Sequence, residues 1–161
     1  MHTKKPIWCS MMITLIVAFD QITKYYAAQK LTDGRAVTFL PKVVQFRYFQ
    51  NTGMAFSLFS GARWLFVALT LAVCIFAFWY LFSNRCQSLW LYWSIGVVIA
   101  GGIGNLIDRV RFGYVVDFIE PTFVDFAVFN IADCAVTCGA AVMIGYLVID
   151  TFRKDKGTDN G

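Results

Sequence analysis

The sequence predicts a membrane α-helical protein: four transmembrane helices with a small antiparallel β-sheet resting on one membrane face. Composition, span length and one alternating run point there. The 161 residues are 58% hydrophobic and 15% charged, against about 25% charged in a soluble domain. Four apolar stretches approach the roughly 20 helical residues that cross a hydrocarbon core about 30 Å thick. Between the first two, Val44, Phe46 and Tyr48 alternate with Gln45 and Arg47, the period of two that marks a half-buried strand. The length suits one integral membrane domain over residues 1–161.

The first span is expected over about 7–27. Ile7–Phe19 is apolar, but thirteen residues rise only about 20 Å. The helix must therefore run through Asp20 to about Ala27, with Lys24 expected to snorkel outward. Lys4 and Lys5 before the apolar run also fit a cleaved signal peptide, and Asp20 at its end argues against that reading. Asp33-Gly34 is a turn signal. Val43–Gln50 (VVQFRYFQ) follows as a strand, and Phe123–Phe129 (FVDFAVF) is expected as a second. The remaining spans fall at about 64–82, 89–107 and 131–149. The second and third carry no charge, and the fourth carries Asp133. Gly96, Ala100 and Gly104, spaced by four, form a helix-packing stripe in the third.

Four spans place both termini on one side. The regions 28–63 and 108–130 then share the other, which collects Asp20, Asp33, Asp108, Asp117, Glu120, Asp125 and Asp133 with Asn51, Asn105 and Asn130. Lys and Arg are divided nearly evenly between the sides, so the positive-inside rule does not orient the chain. The basic residues form no run, which argues against nucleic-acid binding. The lone His2 and five cysteines without a CxxC offer no convergent ligand set, so no metal and no cofactor is expected. Cys134 and Cys138, four apart, read as small packing residues.

Residues three or four apart share a helix face. Asp20 groups with Lys24, Asn105 with Asp108 and Arg109, and Asn130 with Asp133. Asp20–Lys24 and Asp108–Arg109 are expected as structural ion pairs. Asp125 reads as a surface residue. An ionisable group at the bilayer centre costs about 2.5–3.5 kcal/mol on insertion scales. Asp133, third in its span, is also placed where the helix dipole favours an acid. With Asp117 it forms a pair at one membrane edge. Two close carboxylates do not both ionise readily, and a protonated and an ionised Asp together activate water and polarise a carbonyl. Two rivals remain open at this point: a Ser57–Lys24 peptidase dyad and a proton-coupled transporter with carboxylates on its path.

Five blocks in order then carry a family resemblance: Asp20-Gln21-Ile22-Thr23-Lys24, Asn51-Thr52-Gly53-Met54-Ala55-Phe56-Ser57, Gly102 to Arg109 (GIGNLIDR), Val116-Asp117-Phe118, and Phe129-Asn130-Ile131-Ala132-Asp133. Together they resemble the bacterial lipoprotein signal peptidases (signal peptidase II), aspartic peptidases of the membrane. Met54 departs from the small residue common in the family. The resemblance implies Asp117 and Asp133 as catalytic dyad. It implies Asn51, Gly53, Asn105, Asp108, Arg109 and Asn130 as site-lining residues, with Asp20 and Lys24 supporting. It further implies an extracytoplasmic β-cradle, cytoplasmic termini, and a bacterial inner-membrane enzyme with its site near the periplasmic face. The expected substrates are diacylglyceryl-modified prolipoproteins, cleaved just before the lipidated cysteine. Membrane lipids are the surrounding partners, globomycin the expected inhibitor, and a monomer is expected to suffice.

Overall fold

In the computed structural model, the described residues are 5–53, 63–83, 86 and 88–158. Along the chain they form α1 (Lys5–Lys30), β1 (Val37–Leu40), β2 (Val44–Asn51), α2 (Arg63–Phe82), α3 (Leu89–Phe112), β3 (Val115–Pro121) and α4 (Ile131–Thr158). Each helix is long and apolar enough to cross a membrane. Large apolar side chains such as Leu15, Phe19, Phe76, Trp79, Ile144 and Leu147 point outward. That suits a hydrocarbon surround, where backbone groups must be satisfied within each helix.

α3 is the central post. It packs against α1, α2 and α4 and is the most buried of the four. The small-residue stripe receives α1: a Cβ on Gly96 would lie 2.8 Å from Cys9 Sγ, and one on Gly104 would lie 2.6 Å from Asp20 Oδ2. A second approach joins α3 to α4, where a Cβ on Gly101 would collide with the Ala132 carbonyl oxygen. Ser88 caps the start of α3 through its Oγ, which accepts from Leu91 N. Gly113, at φ 87°, closes its end by donating to Arg109 O; that left-handed conformation favours glycine.

The sheet has the order β1-β2-β3 and is antiparallel throughout. β2 occupies the strand expected at 43–50. The other expectation fails. The third strand is 115–121, and 123–129 contributes only an isolated bridge between Ile119 and Phe129. Val115 to Phe118 are buried in succession, so this strand shows no alternation. Its Val116 and Phe118 pack against Ala27 of α1 and Leu31 just beyond it. Phe123, Val124 and Phe126 are exposed despite being apolar.

α3 continues five residues beyond the expected end at 107 and keeps Asp108 and Arg109 helical. The expected Asp108–Arg109 ion pair is not formed, because successive helical residues point about 100° apart. Asp108 turns inward to Lys24, and Arg109 donates to the carbonyl oxygens of Asn105 and Gly53. Lys24 does not snorkel; it is buried. Asp125 is exposed, in keeping with a surface residue.

Candidate active site

Two groups of aspartates meet where α1, α3, β3 and α4 converge. The inner group is sealed. Lys24 Nζ donates to Asp20 Oδ2 at 2.9 Å, Asp108 Oδ2 at 3.0 Å and Asn105 Oδ1 at 2.9 Å. An ammonium has three protons to give, and each has an acceptor here. Asp20 Oδ1 accepts from Ala132 N at 2.8 Å, which ties α1 to the first turn of α4. Asp108 Oδ2 also accepts from Val116 N at 3.1 Å, which ties α3 to β3. Gln21 Nε2 reaches both Asp20 Oδ2 and Asp108 Oδ1. Gln21 is a member of the site that the sequence did not single out. Its signal was its place beside Asp20, but its second acceptor lies 87 residues away.

The outer group faces a cavity of about 780 Å³, whose lining includes Asp117 and Asp133. Asp117 accepts from Asn130 Nδ2 at 2.6 Å and from Asn51 Nδ2 at 3.0 Å. Asp133 accepts from Asn105 Nδ2 at 2.7 Å and from the Asn130 backbone N–H at 3.2 Å. Asn130 Oδ1 returns the bond by accepting from Asp133 N at 2.9 Å. Asn130 and Asp133 thus form a reciprocal capping pair at the start of α4. Asp133 therefore stands at a helix start, as expected, and shares Asn130 with Asp117. Asn130 also holds both carboxylates with one residue.

Burial pushes the Asp117 carboxyl up to about 7. The neighbouring Asp133 carboxylate adds to the rise, against the amides of Asn51 and Asn130 and the charge of Lys24. A carboxyl with that midpoint holds or releases a proton at neutral pH, as a general acid must. Arg109 lines the same cavity, with its guanidinium 5.5 Å from the Phe66 ring centre. Its bond to Gly53 O complements the one from Gly53 N to Asn51 Oδ1, so the end of β2 is held in place. All ten residues singled out from the sequence therefore meet in one network or line its cavity. Ser57 and Met54 lie outside the described residues. No group of three or more His, Cys, Asp or Glu suited to a metal ion occurs among the described residues.

The cavity continues as an apolar trough between α2 and α4, with α3 as its floor. Leu69, Val73 and Ala77 line one wall, Val136 and Cys138 the other. An apolar trough ending at paired carboxylates inside a four-helix membrane fold defines a membrane-embedded enzyme. A solved structure described as a bacterial membrane enzyme superposes with a TM-score of 0.86 at 32% identity, covering 91% of this chain and 90% of that one. A second, described likewise, gives 0.79 at 32% identity, covering 86% and 91%. A lipoprotein signal peptidase of Streptococcus pyogenes serotype M6 is 39% identical over 132 residues, covering 82% of this chain and 87% of its own. One from serotype M5 matches at the same identity and coverage. The model of the signal peptidase (SPase) II family matches residues 12–149. The chain belongs to the signal peptidase II family, whose members remove signal peptides from prolipoproteins.

Proposed function

We propose that this protein is an aspartic endopeptidase in which Asp117 and Asp133 activate a water molecule against the peptide bond just before a lipidated cysteine. The observation that carries this is the pair itself. Two carboxylates are held by one asparagine at the head of an apolar trough, and one is pushed to about 7. One Asp takes a proton from water while the other donates a hydrogen bond to the scissile carbonyl. The tetrahedral intermediate collapses with proton delivery to the leaving amine, and no covalent enzyme intermediate forms.

The signal helix enters sideways between α2 and α4, its apolar face replacing lipid along the trough. The diacylglyceryl chains stay in the bilayer. Arg109 and Asn51, which line the cavity and are both bonded to Gly53, steady the extended peptide. The remaining expectations follow the family: the bacterial inner membrane, cytoplasmic termini, the sheet on the periplasmic face, a monomer, and inhibition by globomycin. A fluorescent protein fused to the C-terminus should glow, because it folds poorly once exported; a dark fusion in a stable protein would reverse the orientation.

The proposed dyad is tested with Asp117→Asn and Asp133→Asn on purified lipidated prolipoprotein in detergent. General acid–base help is worth about 10²–10⁴-fold, so each should lose at least that much turnover while staying folded. Near-normal turnover in either would sink the reading. Ser57→Ala should keep activity. A Ser57–Lys24 dyad, which predicts loss, also faces the difficulty that every proton of Lys24 is already given to an acceptor. A transporter would show proton-coupled flux in liposomes and no cleavage.

A further inference from the structure

We infer that Lys24 is a positioning residue for Asp133, acting through the side-chain amide of Asn105, and that this makes Asp133 the aspartate that rests ionised and activates the water. The inference rests on reading Asp117 and Asp133 as the dyad and divides the labour between them.

The amide of Asn105 has two chemically different ends. An ammonium has no acceptor, so Lys24 can bond only the oxygen end. Asn130 Nδ2 donates to that same oxygen at 3.1 Å. With two donors converging on Oδ1, the NH₂ end is turned to Asp133 Oδ1 at 2.7 Å. Turning the amide over would break both bonds and set an NH₂ against the ammonium. The cation also polarises the amide it holds, and chained hydrogen bonds strengthen one another at low dielectric. Lys24 thereby delivers part of its charge to Asp133 without touching it.

The amides serving Asp117 lack this backing. The oxygen of Asn51 is held by Gly53 N, and that of Asn130 by Asp133 N. Both holders are neutral backbone groups. Asp133 has two further supports for a negative charge: the Asn130 backbone N–H on Oδ2, and its place in the first turn of α4, where the dipole favours an anion. Asp117 lies on a strand, which offers no such field. Asp117 has two amide donors, but the cation-backed amide, the backbone N–H and the helix start all converge on Asp133, which leaves the shared proton on Asp117.

Lys24 is faced by Asp20 from α1 and by Asn105 and Asp108 from α3, and Gln21 donates to both of those carboxylates. Behind these lie Asp133 of α4, Asp117 of β3 and Arg109 of α3. The hydroxyls of Tyr48 and Tyr114 meet beyond Asp108.

The test uses the full-length protein with Lys24→Met, which keeps the stem and removes charge and donors. Losing a hydrogen bond that supports a charged group should lower kcat roughly 10–100-fold, with KM within about twofold. The acid limb of the kcat–pH profile should move to higher pH, because the base has lost its cation. A fall in kcat with an unmoved acid limb would overturn the inference and leave Lys24 merely structural.

If Lys24→Met does not fold, Asp20→Asn with Lys24→Met removes a stranded carboxylate and must show the same displacement. Asn105→Ala should abolish the further effect of Lys24→Met; effects that simply multiply would also overturn it. An infrared difference spectrum between about pH 6 and about pH 8 brackets the Asp117 midpoint of about 7. It should show loss of a protonated-carboxyl band that is absent from Asp117→Asn; a band that survives there puts the proton elsewhere. If the two dyad variants themselves turned over normally, the proposed function would fail. If they are inactive and the Lys24→Met profile is unmoved, only this inference fails.

Discussion

Four aspartates gather at one end of the helical bundle, and they are satisfied in two different ways. Asp20 and Asp108 are bound to an ammonium and to backbone N–H groups, and neither lines the cavity. Asp117 and Asp133 have neutral amides and one backbone N–H, and both line it. A carboxylate bound to a buried ammonium and to backbone N–H groups of other elements serves as a tie between helices and strand. A carboxylate held by neutral donors keeps both protonation states within reach. The chemistry of the partner, more than burial, separates the structural acids from those proposed to react.

Several variants would sharpen or break this contrast. The largest effect is expected for Asp117→Asn and Asp133→Asn, about 10²–10⁴-fold in turnover, with the folded state retained in a thermal melt. Asp20→Ala should do the reverse. It leaves Ala132 N–H without its acceptor and removes one of the two carboxylates on Lys24. Breaking a buried pair this way costs about 3–5 kcal/mol, read as a lowered unfolding midpoint in detergent. If Asp20→Ala melted like the wild type, the inner group would not be the tie described.

Gly104→Ala follows. The added carbon would sit 2.6 Å from Asp20 Oδ2 and 3.1 Å from Ala132 Cβ, and overpacking of this kind costs about 1–3 kcal/mol. An unchanged midpoint would show that α1 can withdraw from α3 at no cost.

The smallest effect is a pH slope. Asp117 has a midpoint of about 7 when folded against 3.8 for a free carboxyl, so the folded state binds the proton more tightly than the unfolded chain. Its contribution to stability is present below about pH 4 and is lost as pH rises to about 7. Asp117→Asn should therefore flatten the fall in unfolding midpoint over that window. An identical slope in both proteins would move the titration to another group.

The four helices were legible because lipid demands long apolar runs, and α1 could be extended through Asp20 by length alone. The grouping of Asn130 with Asp133 was legible from their spacing, and the reciprocal cap they form came from the structure. β3 was hidden because its first four residues are buried in succession, which erases alternation, while FVDFAVF looked like a strand but is exposed over its first four residues and joins the sheet only through Phe129. Lys24 was misplaced for a related reason. Local pattern shows a cation near a helix end and suggests snorkelling, but the partners that hold it inside come from α3. The five blocks named the members of the site; which acid pairs with which cation is a property of the assembled bundle.

The bond from Asp20 to Ala132 spans 112 residues. At a synthesis rate of about 5–20 residues per second, roughly ten seconds separate the making of its two ends. Over that interval α1 is complete and α4 has yet to be made. The 2.9 Å contact between Asp20 and Lys24 lies within α1 itself, one turn apart, so the nascent helix carries its own counter-ion. A single paired charge is far easier to insert than two isolated ions. One of the contacts that anchor the finished bundle is thus already available to α1 alone, before either partner helix has been made.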